Sequence, residues 1–73
     1  MEKAIYTKEH KELVAKLRQA RLVANLSQKE VARLLDCRQP FISIIESGQR
    51  KIDIILLKNL AKIYKKPLDY FLK

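Results

Sequence analysis

Residues 26–48 read LSQKEVARLLDCRQPFISIIESG, and the fold turns on how this stretch is parsed. Ser27 stands three residues before Glu30, the spacing of a capping box. The serine hydroxyl accepts from the Glu30 amide while the glutamate carboxylate reaches back to the serine amide. Such a box opens a helix, here of about two turns, that carries Val31, Ala32, Leu34 and Leu35. Asp36, Cys37 and Arg38 then break the apolar rhythm. A further helix is predicted from Gln39 or Pro40 to Ser47, with Pro40 tolerated because a first-turn amide has no helical partner. Gly48 is placed to end it in the left-handed region.

Working outward, the same periodicity continues on both sides. Thr7 is a candidate cap for a first helix with Glu9 and Glu12 early and Arg18 and Arg21 late, an order that complements the helix dipole. Leu13, Val14, Leu17, Ala20 and Ala24 form its apolar stripe, and Asn25 is a suitable stop. His10 reads as a surface residue of this helix. Downstream, Asp53 caps a helix with Leu56, Leu57, Leu60, Ala61 and Tyr64 on its buried face, and Lys65-Lys66-Pro67 stops it. Residues 68–72 make a last short helical turn. One Gly and two Pro in 73 residues leave too few turn formers for an all-β fold. The expected architecture is all-α: a compact five-helix domain over residues 13–71, preceded by an extension and helix start over 1–12.

Two short helices joined by a three-residue turn make a helix-turn-helix motif, here at about residues 28–47, whose second helix enters the DNA major groove. Ala32 faces the helix crossing, where a larger side chain would force the axes apart, while Val31, Leu35, Ile42 and Ile45 fix the angle. Arg38, Gln39, Pro40, Ser43, Ile44 and Ser47 are left on the outer face. The charge agrees with an anionic partner. Sixteen Lys and Arg against eight Asp and Glu give a formal charge of +8 and a pI near 9.9, the electrostatic footprint of a nucleic-acid binder.

The runs LSQKEVARLL and ISIIESGQRK resemble the lambda-repressor-like helix-turn-helix family, also called the Cro or XRE type, over nearly the whole of residues 13–71. The resemblance implies a DNA-binding regulator, commonly a homodimer on a palindromic operator. It also implies a cytoplasmic protein of bacterial, phage or mobile-element context. It assigns base reading to Arg38, Gln39 and Ser43, with the Gln39 amide suited to a bidentate contact with adenine. Pro40 and Ile44, where the family usually has polar residues, are suited to thymine methyl groups or to a protein-binding patch shared with Phe41. Phosphate contacts fall to Arg21, Gln28, Ser47, Arg50 and Lys51; Gln28 also braces the recognition helix, and Arg21 is expected to pair with Glu46 and so orient that helix. Asp36 and Asn25 replace the family's usual glycines; both tolerate positive φ.

Other classes are disfavoured. A single cysteine and a single histidine supply neither an internal disulfide nor a zinc site, so no metal or cofactor is expected, and Cys37 reads as a small packing residue. There is no Gly-rich phosphate loop and no second histidine for acid–base work, so the chain is not expected to be an enzyme. The longest aliphatic run, residues 54–57, is far short of the roughly 20 residues of a membrane span. The charged start MEKAIYTKEHKE does not read as a secretory signal. Ile54, Ile55, Ile63, Tyr70, Phe71 and Leu72 lie off the main stripe and are candidates for a dimer interface or for the core. The competing function is a protein-interaction module, such as an antitoxin or regulatory adaptor, that uses the same surface.

Overall fold

The computed structural model describes residues 7–73, so the first half of the expected 1–12 extension lies outside the described residues. It contains five helices, α1 (Lys8–Val23), α2 (Gln28–Leu35), α3 (Gln39–Glu46), α4 (Ile54–Tyr64) and α5 (Leu68–Leu72), and no strand among the described residues. The caps form where the sequence places them. Thr7 Oγ1 accepts from His10 N, Asp53 Oδ1 accepts from Leu56 N, and both halves of the Ser27–Glu30 box are made, at 3.0 and 2.8 Å.

Helix ends follow one device. After α1, α2 and α4 the chain enters the left-handed region at Asn25, Asp36 and Lys65, with φ of 62, 60 and 58°. In each case the next amide bonds back five residues: Leu26 N to Arg21 O, Cys37 N to Ala32 O, and Lys66 N to Ala61 O. This is the Schellman ending, which satisfies carbonyls a helix terminus leaves unpaired and sends the chain off sharply. Leu26 and Cys37, the residues just past two of these turns, pack against the core and tighten the corner. Lys65 is the unexpected member, since it lacks the short polar side chain that eases positive φ in Asn and Asp.

The core is built from Leu17 and Ala20 of α1, Val31 and Ala32 of α2, Ile42 and Ile45 of α3, Leu57, Leu60, Ala61 and Tyr64 of α4, and Phe71 of α5. The small Ala32, nearly fully buried, lets α2 and α3 approach closely. Burial raises the Tyr64 hydroxyl well above its ordinary value, with the Glu46 charge adding to the effect, so this ring stays neutral. Burial and the Asp36 charge likewise push the Cys37 thiol up, which disfavours the nucleophilic thiolate.

One expectation needs correction, and one open alternative is decided in favour of the core. His10 is not a surface residue: it is only 8% exposed, because it continues the stripe of Val14 and Leu17 backward at helical spacing. Phe71 is 3% exposed and belongs to the core, so it cannot face a second copy without α5 leaving the bundle. Its ring meets Tyr70 edge to face at 5.0 Å.

The capping box gives a test of this local order. Ser27→Ala is expected to lower unfolding free energy by about 1 kcal/mol, measured by urea denaturation at neutral pH. The Ser27 amide, and after it the hydroxyl, hold the Glu30 carboxyl below its ordinary 4.5. A carboxylate depressed in the folded state stabilises the fold above the unfolded value, and that contribution is lost as pH falls through the folded one. Glu30→Gln keeps an acceptor for the box but cannot titrate, so its stability is expected to fall less steeply below pH 4.5 than the parent's. Identical acid limbs would contradict the assignment.

Candidate nucleic-acid interface

The Schellman turn at Asp36 and the extended backbone of Arg38 set the direction in which α3 leaves α2. Ile42 and Ile45 anchor the inner side of α3 in the core, so its opposite side faces solvent. Arg38, Gln39, Pro40, Ser43, Ile44 and Ser47 are all exposed there. These positions stand side by side at one end of the bundle.

A chain of polar contacts locks this face from behind. Arg21 donates through Nε to Glu46 Oε2 at 2.7 Å and through Nη2 to Glu46 Oε1 at 3.0 Å, while its Nη1 donates to the Leu26 carbonyl at 2.8 Å. Gln28 Nε2 donates to the same Glu46 Oε1 at 3.1 Å, and Gln39 Nε2 donates to Gln28 Oε1 at 3.0 Å. One carboxylate near the end of α3 thus ties α1, the entry to α2 and the first residue of α3. The fork is bidentate and charge-assisted, the strong form of this contact. Its hydrogen bond to Glu46 raises the Arg21 pKa further, against the opposing effect of burial. No buried side-chain nitrogen or oxygen among the described residues lacks a partner.

The network bears on the roles expected of two residues. Arg21 is buried with three of its five N–H groups committed within the protein, so it pairs with Glu46 and orients α3, with two N–H groups left over. Ser47 donates its hydroxyl back to the Ile44 carbonyl at 2.7 Å, so a phosphate contact would require it to break that bond and turn outward. Gln28, by contrast, keeps one amide hydrogen uncommitted after its bond to Glu46.

Beyond α3 the chain turns at Gly48, whose φ of +83° suits glycine even though a Cβ there would meet nothing within 4 Å. His10 Nε2 lies 3.2 Å from the Gly48 carbonyl. A carbonyl only accepts, so Nε2 carries the proton and donates. Two residues on, the Arg50 guanidinium sits 4.7 Å from the centroid of the Phe41 ring. Neither contact was expected. The position of His10 on the Val14–Leu17 stripe could have signalled the first, whereas nothing in the linear pattern signals the second.

Two packed helices at a tight turn, with a polar outer face on the second and a basic loop after it, define a DNA-binding helix-turn-helix protein. A family model described as helix-turn-helix matches residues 17–71, and the chain belongs to that family, in the lambda-repressor-like class its motifs resemble. No curated protein and no solved structure gives a significant match. Members of this family are DNA-binding regulators and generally not enzymes. No helix among the described residues is long and apolar enough to cross a membrane.

Glu46→Ala is expected to cost about 3 kcal/mol in urea denaturation, since it leaves a buried guanidinium without its counter-charge. Gln28→Ala, which leaves the ion pair intact, is expected to cost less than about 1 kcal/mol. Equal costs would show that the carboxylate is not the hub.

Proposed function

We propose that the chain is a sequence-specific regulator of transcription that binds double-stranded DNA as a dimer, with α3 in the major groove, and represses by occupying an operator. The observation that carries this reading is the bracing of Gln39. One hydrogen of its Nε2 is held by Gln28 Oε1, which leaves the second hydrogen and the Oε1 lone pairs uncommitted on an exposed side chain. That remainder is the donor–acceptor pair that reads adenine at N7 and N6. A reading side chain already fixed before contact loses little freedom on binding.

Around Gln39, Arg38 supplies a guanidinium to guanine or phosphate and Ser43 a hydroxyl to a base edge, while Pro40 and Ile44 offer apolar contact to thymine methyls. Gln28, Arg50 and Lys51 are assigned to the phosphate backbone, holding register without reading sequence. A single α3 spans few base pairs, so a pair of copies placed one helical turn apart, about 34 Å, reads a palindrome. Of the residues proposed for that pairing, Ile54, Ile55 and Leu72 are exposed, at 51, 62 and 59%, and Ile63 and Tyr70 are half-buried.

One observation favours a second reading. Cys37, Arg38, Pro40, Phe41 and Ile44 line a shallow, mostly apolar hollow that borders this face, with Ile44 46% exposed, which suits a protein partner of an adaptor or antitoxin. Salt separates the two. DNA binding weakens steeply with ionic strength, log K falling by about 0.9 per phosphate neutralised, whereas an apolar protein contact lacks that slope.

Gln39→Ala is expected to relax base preference in a selection from a random duplex library, while Arg50→Ala weakens all duplexes alike and flattens the salt slope by about 1. An unchanged preference in Gln39→Ala removes α3 as the reader. Sedimentation of the protein, free and with its selected duplex, is expected to find two copies per site; monomer in both states rules out the dimer. Ile55→Lys is expected to shift the equilibrium toward monomer.

A further inference from the structure

Two side chains outside the reading face hold the loop that follows α3. His10, in the first turn of α1, reaches 38 positions along the chain to donate to the Gly48 carbonyl. Its own amide is fixed by the Thr7 cap, and the ring is buried, so it is a short rigid tether. Phe41 is partly buried against the core and carries the Arg50 guanidinium over its ring. The loop is therefore fastened to α1 at Gly48 and to α3 at Arg50.

We infer that His10 and Phe41 are positioning residues that hold residues 48–51 as a preformed clamp for a DNA phosphate. The inference rests on the regulator reading, since it requires a duplex lying against α3. The chemistry of the two contacts is compatible with such a role. A guanidinium stacked on an aromatic face uses its flat side, and its N–H groups lie in the perpendicular sense, around the rim. With its central carbon over the Phe41 ring at 4.7 Å, Arg50 has the ring on one side and keeps N–H groups that suit a phosphate. The stack also removes much of the side-chain freedom that binding would otherwise take away. At Gly48 the requirement is backbone direction: the positive φ turns the chain off the end of α3, and the His10 bond fixes where the turned segment points. Neither residue needs to touch DNA. Both act through Arg50 and its neighbours.

The test uses the full chain and a duplex selected from a random library, with a scrambled duplex beside it. His10→Leu and Phe41→Leu keep apolar bulk but delete the donor and the aromatic face. His10→Gln places an amide donor near the position of Nε2, and Phe41→Tyr keeps the ring. Both leucine variants are expected to melt cooperatively and to bind the selected duplex about five-fold more weakly. Their plots of log K against log salt are expected to be shallower by about 1, with preference over the scrambled duplex unchanged. The glutamine and tyrosine variants are expected to recover both quantities. A merely structural defect would not flatten the salt slope while sparing preference.

Leucine variants with parental affinity and slope overturn the clamp, and so does a loss of preference in step with affinity, which would route the effect through α3. If His10→Leu fails to fold, Phe41→Leu decides alone by the same criteria. A parental protein that binds no duplex overturns the regulator reading and the clamp with it. A parental protein that binds, beside unaltered variants, overturns the clamp only.

Discussion

Everything on the outer face is referred to one carboxylate. Glu46 takes both prongs of the Arg21 fork and one hydrogen of Gln28, and its side chain is only 5% exposed. Taking two charges out of water is costly, and a well-packed apolar pair in their place is often as stable or more so. The pair is thus poorly explained as a source of net stability. What it supplies is direction. An apolar contact between α1 and α3 would tolerate small rotations of α3 about its axis, because hydrophobic burial has no preferred angle. A bidentate fork does not, since both N–H groups must meet their oxygens in one plane. Rotation of α3 carries Gln39 with it, so the angular stiffness of the fork becomes positional stiffness of the reading side chain.

The helix endings have a related consequence. Leu26 follows the left-handed residue that ends α1, and its carbonyl is where the third donor of Arg21 is spent. The turn that terminates α1 is thereby part of the scaffold that orients α3. Asp36 does the corresponding service between α2 and α3, where its left-handed conformation sets the exit from one helix and the partly buried Cys37 packs against the core. Local backbone chemistry and the tertiary network are therefore consistent with each other, as expected of a sequence that specifies one arrangement.

Much of this was legible in the chain, for reasons that can be stated. The capping box at Ser27, the cap at Asp53, the stop at Asn25 and the αL turn at Asp36 depend on residues within five positions of one another, and short-range chemistry is what sequence displays. The core faces of α1 and α4 followed from periodicity. What escaped was either long-range or disguised by residue type. Histidine suggests a surface group, yet His10 sits one helical turn before Val14 and inherits the buried stripe. Phe71 is one of several apolar side chains in α5, and only the closing of the bundle decides which of them turns inward. That Gln28 braces α3 was implied by the family resemblance, but its partners, Glu46 on one side and Gln39 on the other, are set by the α2–α3 crossing. The stack of Arg50 on Phe41 depends on the path of the loop. Lys65 at positive φ has no local signature at all.

The placement of these contacts separates two properties that a DNA-binding surface must combine. The outer face of α3, proposed to read bases, is mounted through Arg21, Glu46 and Gln28, on the side facing α1 and α2. The basic loop is mounted through His10 and Phe41, by atoms that share no partner with that network. Groups without shared partners contribute nearly additively, whereas members of one hydrogen-bond network do not. Changes along the Arg21 network should therefore couple strongly to one another, and weakly to changes at the loop. Non-specific attraction, governed by phosphate contacts and salt, and discrimination between bases, governed by the edge of α3, can then vary independently in a domain of this size. A +8 chain attracts any duplex. In the proposed regulator, selectivity would come from how firmly α3 is held, which attraction alone does not require.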